Sequence, residues 1–393
     1  MIEMHDIEKA YPSIWNSGLP VRRFGYQRFL DVLDSHCGGS VVLVEECRSF
    51  EGRPIRVLRF GHGPNVVLAW SQMHGNEPVS TLALMDVISL MAAGYVDYLA
   101  ESVTVYMVPL LNPDGHIRND RRNAQGIDIN RDAQDMVSPE ACLLMRLARS
   151  LNPRYALNLH DQELYYTTRP RLLQTSLALL APEFSFQTSE SDSRTRSMMV
   201  CGAVAEYLQE SAPDRIAKYQ DTYTPTAFGD TFMRMGISSV LIESGAVAGD
   251  CERASTRRLV YLAIMKAIMV ISGRHPGKLE AYNSLPLNMR NNAFDLKLRN
   301  LRICGPGYDY RLDIGIRRIK PSHNVEDFTD DSPDYRIVNI GNLSGNGAIV
   351  DFDASGYQFA EGYSGIHIGR QADFHIVDQV SSNMISVKSL LNF

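Results

Sequence analysis

Residues 71–78 read Ser71-Gln72-Met73-His74-Gly75-Asn76-Glu77-Pro78, and this stretch decides the fold of the 393-residue chain. The run before it, Asn65-Val66-Val67-Leu68-Ala69-Trp70, is apolar and β-like, and residues 79–91 after it carry a helical pattern. A strand that passes into a helix through a polar octet gathers its polar side chains where the strand ends. His74 and Glu77, separated by two residues, can both turn there onto one cation. Imidazole nitrogen and carboxylate oxygen are donors that suit Zn²⁺. His-x-x-Glu arises often by chance, so the weight of the reading rests on what surrounds it.

Outward from this point, β-like runs occupy residues 40–47, 55–60, 66–70, 103–110, 155–160 and 239–243, with helix-like runs at 24–33, 79–91, 139–150 and 253–272. The alternation predicts an α/β domain with a mixed sheet covered by helices. Ligands bind at strand ends in such sheets, and His74, His160 and Glu243 each fall at or just past the C-terminal end of a predicted strand. Pro, Gly and Asn breakers from Gly273 to Asn292 predict a linker. Residues 294–299, 336–340, 348–352, 373–377 and 384–387 then alternate apolar with polar, as in a sandwich or small barrel, and residues 329–333 read as an acidic turn. The expected organisation is a first domain over 1–275, a linker over 276–292 and a small all-β domain of unassigned role over 293–393.

Composition narrows the function classes. Apolar residues make up 45% and charged residues 21%, so a sizeable core is expected rather than disorder. A net charge of −6 argues against nucleic acid as a partner, since phosphate binding needs a basic face. The cysteines, Cys37, Cys47, Cys142, Cys201, Cys251 and Cys304, are scattered without a CxxC and read as reduced thiols. The acidic, polar start lacks the basic and apolar regions of a signal peptide, and no run of about 18 apolar residues suggests a membrane partner. A cytoplasmic location is the expectation, or a secreted or periplasmic one if a leader has been trimmed.

Four further segments carry chemistry. Asn112-Pro113-Asp114-Gly115 alone is a good turn. Residues 121–131, Arg121-Arg122-Asn123-Ala124-Gln125-Gly126-Ile127-Asp128-Ile129-Asn130-Arg131, bring guanidinium groups that stay charged and bind carboxylates in pairs, although an arbitrary Arg cluster is more often a solvated loop. In Asn158-Leu159-His160-Asp161 a lone His after an apolar strand is more often structural than a ligand. Glu243, ending Val240-Leu241-Ile242, is unusual, because burying a carboxylate is unfavourable without a task or a partner.

Taken in order, these motifs resemble the zinc carboxypeptidase family of the funnelin type, over roughly residues 24–272, in a bacterial-looking form with an extra C-terminal β-rich domain. Glu51-Gly52-Arg53-Pro54-Ile55 is similar to the turn before the family's metal strand. The resemblance implies a mixed sheet of the eight-stranded type flanked by helices. It implies one Zn²⁺ per chain held by His74, Glu77 and His160, with Asp128 fixing the tautomer of His74. Arg121 would stabilise the developing oxyanion, with Arg122 the neighbouring alternative. Asn130 and Arg131 would grip the terminal carboxylate of a peptide substrate. Glu243 would be the general base toward zinc-activated water, and then the acid toward the leaving amine.

The chain departs from the family in two places. The mobile Tyr position falls on Thr222, leaving Tyr223 as the candidate for substrate binding and Tyr219 as the alternative. The specificity-pocket position falls near Gly229, which gives no clear charge preference, and Asp230 beside it either favours a basic side chain or, the preferred reading, caps a helix. His5, His36, His62, His116, His275, His323, His367 and His375 lack partner spacing and read as surface or loop residues, with His116 approaching the cleft. The leading expectation is a metallocarboxypeptidase that removes the C-terminal residue of a peptide. The alternatives are a zinc amidase or deacylase of the aspartoacylase-like branch, and a catalytically silent peptide-binding relative. Oligomeric state and side-chain preference are not legible at this level.

Overall fold

A computed structural model of the chain describes residues 3–391 apart from 17–18, 20–22, 184–190, 221, 248, 251, 276, 320–333 and 362–364. The acidic turn expected at 329–333, with Cys251, Pro276 and His323, lies outside the described residues. The chain divides into two units, Met1–Glu163 with Thr175–Asn288, and Leu164–Gln174 with Met289–Phe393. No described helix is long and apolar enough to cross a membrane. The five described cysteines are free thiols.

The first unit is built on a mixed sheet. Its strands run in the order Val41–Arg48, Pro54–Gly61, Val103–Val108, Asn65–Ser71, Tyr155–Asp161, Ser238–Ser244, Leu177–Leu180 and Ile216–Lys218, and Leu287–Met289 comes next. The eight strands expected are thus present, with Leu287–Met289 beyond them. Val103–Val108, Asn65–Ser71, Tyr155–Asp161 and Ser238–Ser244 pair in parallel. Their C-terminal ends therefore open on one edge, which is where the ligand-type residues stand.

Strand alternation sorts the side chains into two cores. Val67, Ala69, Leu157, Leu159, Val240 and Ile242 enter one core with the helices Pro78–Ala92 and Ala254–Ile271. Leu68, Trp70 and Ala156 enter the other with Phe228 and Phe232. Helix Pro78–Ala92 begins with Pro at its first turn and is buried nearly all round, because it lies between the sheet and other helices. Its one acidic side chain, Asp86, is fully buried and meets the equally buried Arg257 through two 2.6 Å bonds.

The expected linker is a correction. Leu279–Asn283 is helical, Leu287–Met289 is a strand parallel to Ile216–Lys218, and residues through Asn288 belong to the first unit. Tyr282 is buried and its hydroxyl accepts from Ala181 N at 3.1 Å. Gly277, which reads as a flexible breaker, is there for close approach: a Cβ would lie 1.8 Å from Met199 O.

The second unit carries the expected β-rich character, in one sheet of seven strands rather than two stacked sheets. Ala293–Gly305 is its spine. One edge pairs antiparallel with Tyr308–Ile319, which pairs in turn with Asp334–Gly341. The other edge takes Gly347–Asp353 and then Tyr357–Phe359, both parallel. Leu296, Leu298, Ile314, Ile316, Ile337, Phe359 and Phe374 form its core. The segment Leu164–Gln174, read from sequence as part of the first domain, belongs to this unit. There the Tyr165 hydroxyl donates to the buried Asp295 at 2.7 Å.

Candidate metal centre

The loop that carries His74 is fastened from several sides. Gln72 takes a positive φ of 51°, which turns the chain out of its strand. Its Nε2 donates to Gly75 O at 2.8 Å and faces His116 Nδ1 at 2.7 Å. His116 Nε2 meets Phe24 O at 3.0 Å, so the ring carries its proton on Nε2 and accepts on Nδ1. Burial pushes His116 down to about 4, which keeps it neutral. His116 is a support beneath the loop rather than a cleft residue.

The Asn-Pro-Asp-Gly motif proves to be part of the same fastening. Asn112 Oδ1 caps its short helix by accepting from Gly115 N at 2.9 Å, and Nδ2 donates to Met73 O at 3.1 Å. A Cβ on Gly75 would stand 1.9 Å from the Gly115 carbonyl carbon, so the two loops touch backbone to backbone. Asp114 is fully buried and accepts from Ser49 Oγ at 2.8 Å, Glu51 N at 3.0 Å and Arg53 Nη1 at 2.6 Å. The Glu51–Ile55 leader turn is thereby tied to the motif.

Among the described residues, His74, Glu77 and His160 form a group whose potential ligand atoms all lie within 4.8 Å of one another. Glu77 Oε1 is 2.8 Å from His74 Nδ1, and Oε2 is 2.8 Å from His160 Nδ1. His74 Nε2 lies 3.2 Å from Asp128 Oδ1, so its proton sits on Nε2 and the Nδ1 lone pair points into the group. His160 Nε2 is buried without a partner. Burial opposes the charge on Glu77, but the two imidazoles facing it hold its carboxyl well below the usual range. Burial lowers His160 more than Glu77 raises it. Two imidazole nitrogens and an ionised carboxylate form the donor set of a catalytic zinc site, with a fourth position left for substrate or water, so the residues present fit the metal.

Arg121, not Arg122, reaches this group. Its Nη1 is 3.2 Å from His74 Nδ1 and 3.5 Å from Glu77 Oε1, while Nε bonds Asp128 Oδ2 at 3.1 Å. Arg122 Nη1 instead bonds Gly126 O. Glu243 stands directly beside His160 in the parallel ladder and on the same face. Burial first, then the Glu77 and Asp161 carboxylates, pushes its carboxyl well above the ordinary range against the pull of Arg121.

Asp161 has a function that sequence reasoning missed. It accepts from Val79 N at 2.7 Å, Ser80 N at 3.0 Å, Ser80 Oγ at 2.9 Å and Ser244 Oγ at 2.7 Å. A carboxylate there meets the free amides and positive end of helix Pro78–Ala92. One side chain thus joins the segments carrying Glu77, His160 and Glu243. Its only sequence signal is an acid directly after the second His.

The remaining expectations divide. Asn130 Oδ1 accepts from Phe228 N at 3.1 Å, and the exposed Arg131 rests its Nη1 on Asn130 O at 2.7 Å. Tyr223 is buried, whereas Tyr219 and Thr222 line a cavity of about 540 Å³ with Arg194, Lys218 and Tyr282. Asp230 is not the expected cap: Ala227 holds that position, and Asp230, in the first turn, accepts from Thr224 N at 3.3 Å. Burial raises its carboxyl to about 6.

Residues 26–143 match the zinc carboxypeptidase family profile. Carboxypeptidase E of Caenorhabditis elegans is 28% identical over 134 residues, covering 28% of this chain and 28% of that protein. Carboxypeptidase Z of Mus musculus is 25% identical over 166 residues, covering 34% of this chain and 25% of its own length. The chain therefore spans about a quarter of the length of the curated relatives it matches. A metallo-carboxypeptidase from Pseudomonas aeruginosa, solved in complex with (2-guanidinoethylmercapto)succinic acid, shares the fold at a TM-score of 0.52. It is 18% identical, over 64% of this chain and 70% of that one. The zinc carboxypeptidase profile thus falls on the segment that carries His74, Glu77, Asn112, Arg121 and Arg131, and the first unit is similar to that family in this segment and shares the fold of a solved metallo-carboxypeptidase.

Proposed function

We propose that the protein is a zinc-dependent metallocarboxypeptidase that hydrolyses the last peptide bond of substrates with a free terminal carboxylate. The observation that carries this reading is the flanking of the His74–Glu77–His160 group by one buried carboxyl, Glu243, and one guanidinium, Arg121. Zinc, when bound, supplies the Lewis acidity that makes water a nucleophile near neutral pH. Glu243 takes the proton of the attacking water and passes it to the leaving amine, a task suited to a carboxyl that burial has made more basic. Arg121 offers a positive charge where the carbonyl oxygen becomes an oxyanion. Asn130 and Arg131, fixed beside helix Phe228–Arg234, hold the substrate's carboxylate.

Arg131 supplies the test of terminus recognition. Arg131→Ala should weaken free-carboxylate peptides by about 1.5–3 kcal/mol, the size of a lost charge-assisted contact. C-terminally amidated versions of the same peptides should bind poorly to both proteins and change little. Kinetics on matched free and amidated peptides read the difference. Equal losses on both would show that Arg131 does not read the terminus.

A further inference from the structure

The cavity of about 540 Å³ lies apart from the metal-ligand group. Alternation along Ile216–Lys218 puts Lys218 on the face of Ile216, which enters the core shared with helices Pro78–Ala92 and Ala254–Ile271. His160 and Glu243 alternate with Leu159 and Ile242 of that same core, so they point to the opposite face of the sheet. From Tyr155–Asp161 to Ile216–Lys218 the sheet steps through Ser238–Ser244 and Leu177–Leu180, a distance of ~14 Å at ~4.8 Å per step. Leu177–Leu180 is antiparallel to Ser238–Ser244 and parallel to Ile216–Lys218. The chain past Lys218 therefore leaves the sheet away from the metal edge, and it is this stretch that lines the cavity.

The other walls come from helix Asp192–Leu208, through Arg194 and Met198, and from the segment misread as a linker, through Tyr282, Asn283 and Leu287. Ala181 fastens two of them. Its N donates to the Tyr282 hydroxyl at 3.1 Å, and its O accepts from Arg194 Nε at 3.3 Å. Lys218 N donates to Pro286 O at 2.7 Å, which fixes the stem of that side chain. Lys218 Nζ is half-buried and stands 5.6 Å from the centre of the Tyr282 ring. Among the described residues it makes no hydrogen bond and no ion pair. Arg194 and Lys218 are the charged residues of the lining, and no acid faces them there.

We propose that this cavity binds a small organic anion, a phosphate monoester or a polycarboxylate on an apolar or planar body, independently of the peptide cleft. Two cations in a recess with low-dielectric walls and no opposing carboxylate concentrate positive potential. Lys meets phosphate or carboxylate as a point charge, and Arg as a planar fork. The Tyr282 ring, Met198 and Leu287 offer apolar wall for the body of the ligand, and Asn283 adds a polar group at the exposed side. The volume lies within the range of small-molecule sites, which is about 300–1,000 Å³.

The test is calorimetry on the zinc-loaded full chain with AMP, tricarballylate and, as a neutral control, adenosine. AMP or tricarballylate should bind with a Kd of about 1 mM or tighter, and adenosine at least tenfold more weakly than AMP. AMP alone would mark a phosphate ester site, and tricarballylate alone a polycarboxylate site. Lys218→Gln and Arg194→Gln should each weaken the anion by a factor on the order of 10–100, with zinc content and denaturation midpoint unchanged. Arg131→Ala and removal of zinc should leave the binding as it was. If Arg194→Gln disturbs the fold through Ala181, Lys218→Gln alone decides, since the ammonium touches only a ring face. Failure of both anions to bind, adenosine binding as tightly as AMP, or affinity that Lys218→Gln leaves untouched overturns the site. Binding lost in Arg131→Ala or with the zinc overturns it as well, because the anion would then lie in the peptide cleft.

Discussion

Glu243→Gln is expected to lower kcat by a factor on the order of 10²–10⁴ while zinc and substrate binding are largely kept. The substitution preserves shape and removes the carboxylate proposed to take the proton. Glu243 ends the apolar run Val240-Leu241-Ile242 and is buried beside His160, so an amide of equal size fits the same space. It does not donate to the metal-ligand group in the way Glu77 does, so metal content should not move. Steady-state kinetics with metal analysis on the same sample give the answer. Turnover within tenfold of the parent, with zinc confirmed, would remove Glu243 from the chemistry.

The second large effect is on stability. Asp86 and Arg257 are both fully buried and share two bonds of 2.6 Å. Asp86 also accepts from Tyr11 OH and Asn16 N, each at 3.2 Å, so this one carboxylate ties the N-terminal segment to helix Pro78–Ala92. Burial raises the Asp86 carboxyl even against the guanidinium, so the net electrostatic gain of the pair is small. Stranding its partner is what destabilises. Asp86→Ala should reduce the unfolding free energy of the first unit by about 3–5 kcal/mol, while Asp86→Leu with Arg257→Met should lose much less. Denaturant unfolding of the two variants separates these outcomes. A loss under about 1 kcal/mol in the single variant would show that the pair is solvated rather than buried.

The parallel strands and their terminal ligands were legible because short apolar runs end in polar residues of metal-binding type. His74, Glu77, His160 and Glu243 needed only that the strands be parallel and adjacent. The reason for Asn-Pro-Asp-Gly was not legible: Asn112 reaches Met73 and Asp114 reaches Ser49, contacts made by the tertiary fold with no local pattern. Asp161 was hidden for the same cause, since its partners Val79 and Ser244 lie about eighty residues to either side. The misread linker shows tertiary override of composition. Gly277 looks like a breaker, yet it is small because Met199 O occupies the space of its Cβ. Leu164–Gln174 joins the second unit, and nothing in its own residues announces that.

The measurement that tests the central claim most directly is a digest of a defined peptide mixture read by mass spectrometry, with and without chelator. Free-carboxylate peptides should lose single residues from the C-terminus only. Amidated peptides should survive, chelator should stop the reaction, and added Zn²⁺ should restore it. Removal of N-acyl groups with intact C-termini, or cleavage indifferent to chelator and readdition of zinc, would contradict the account.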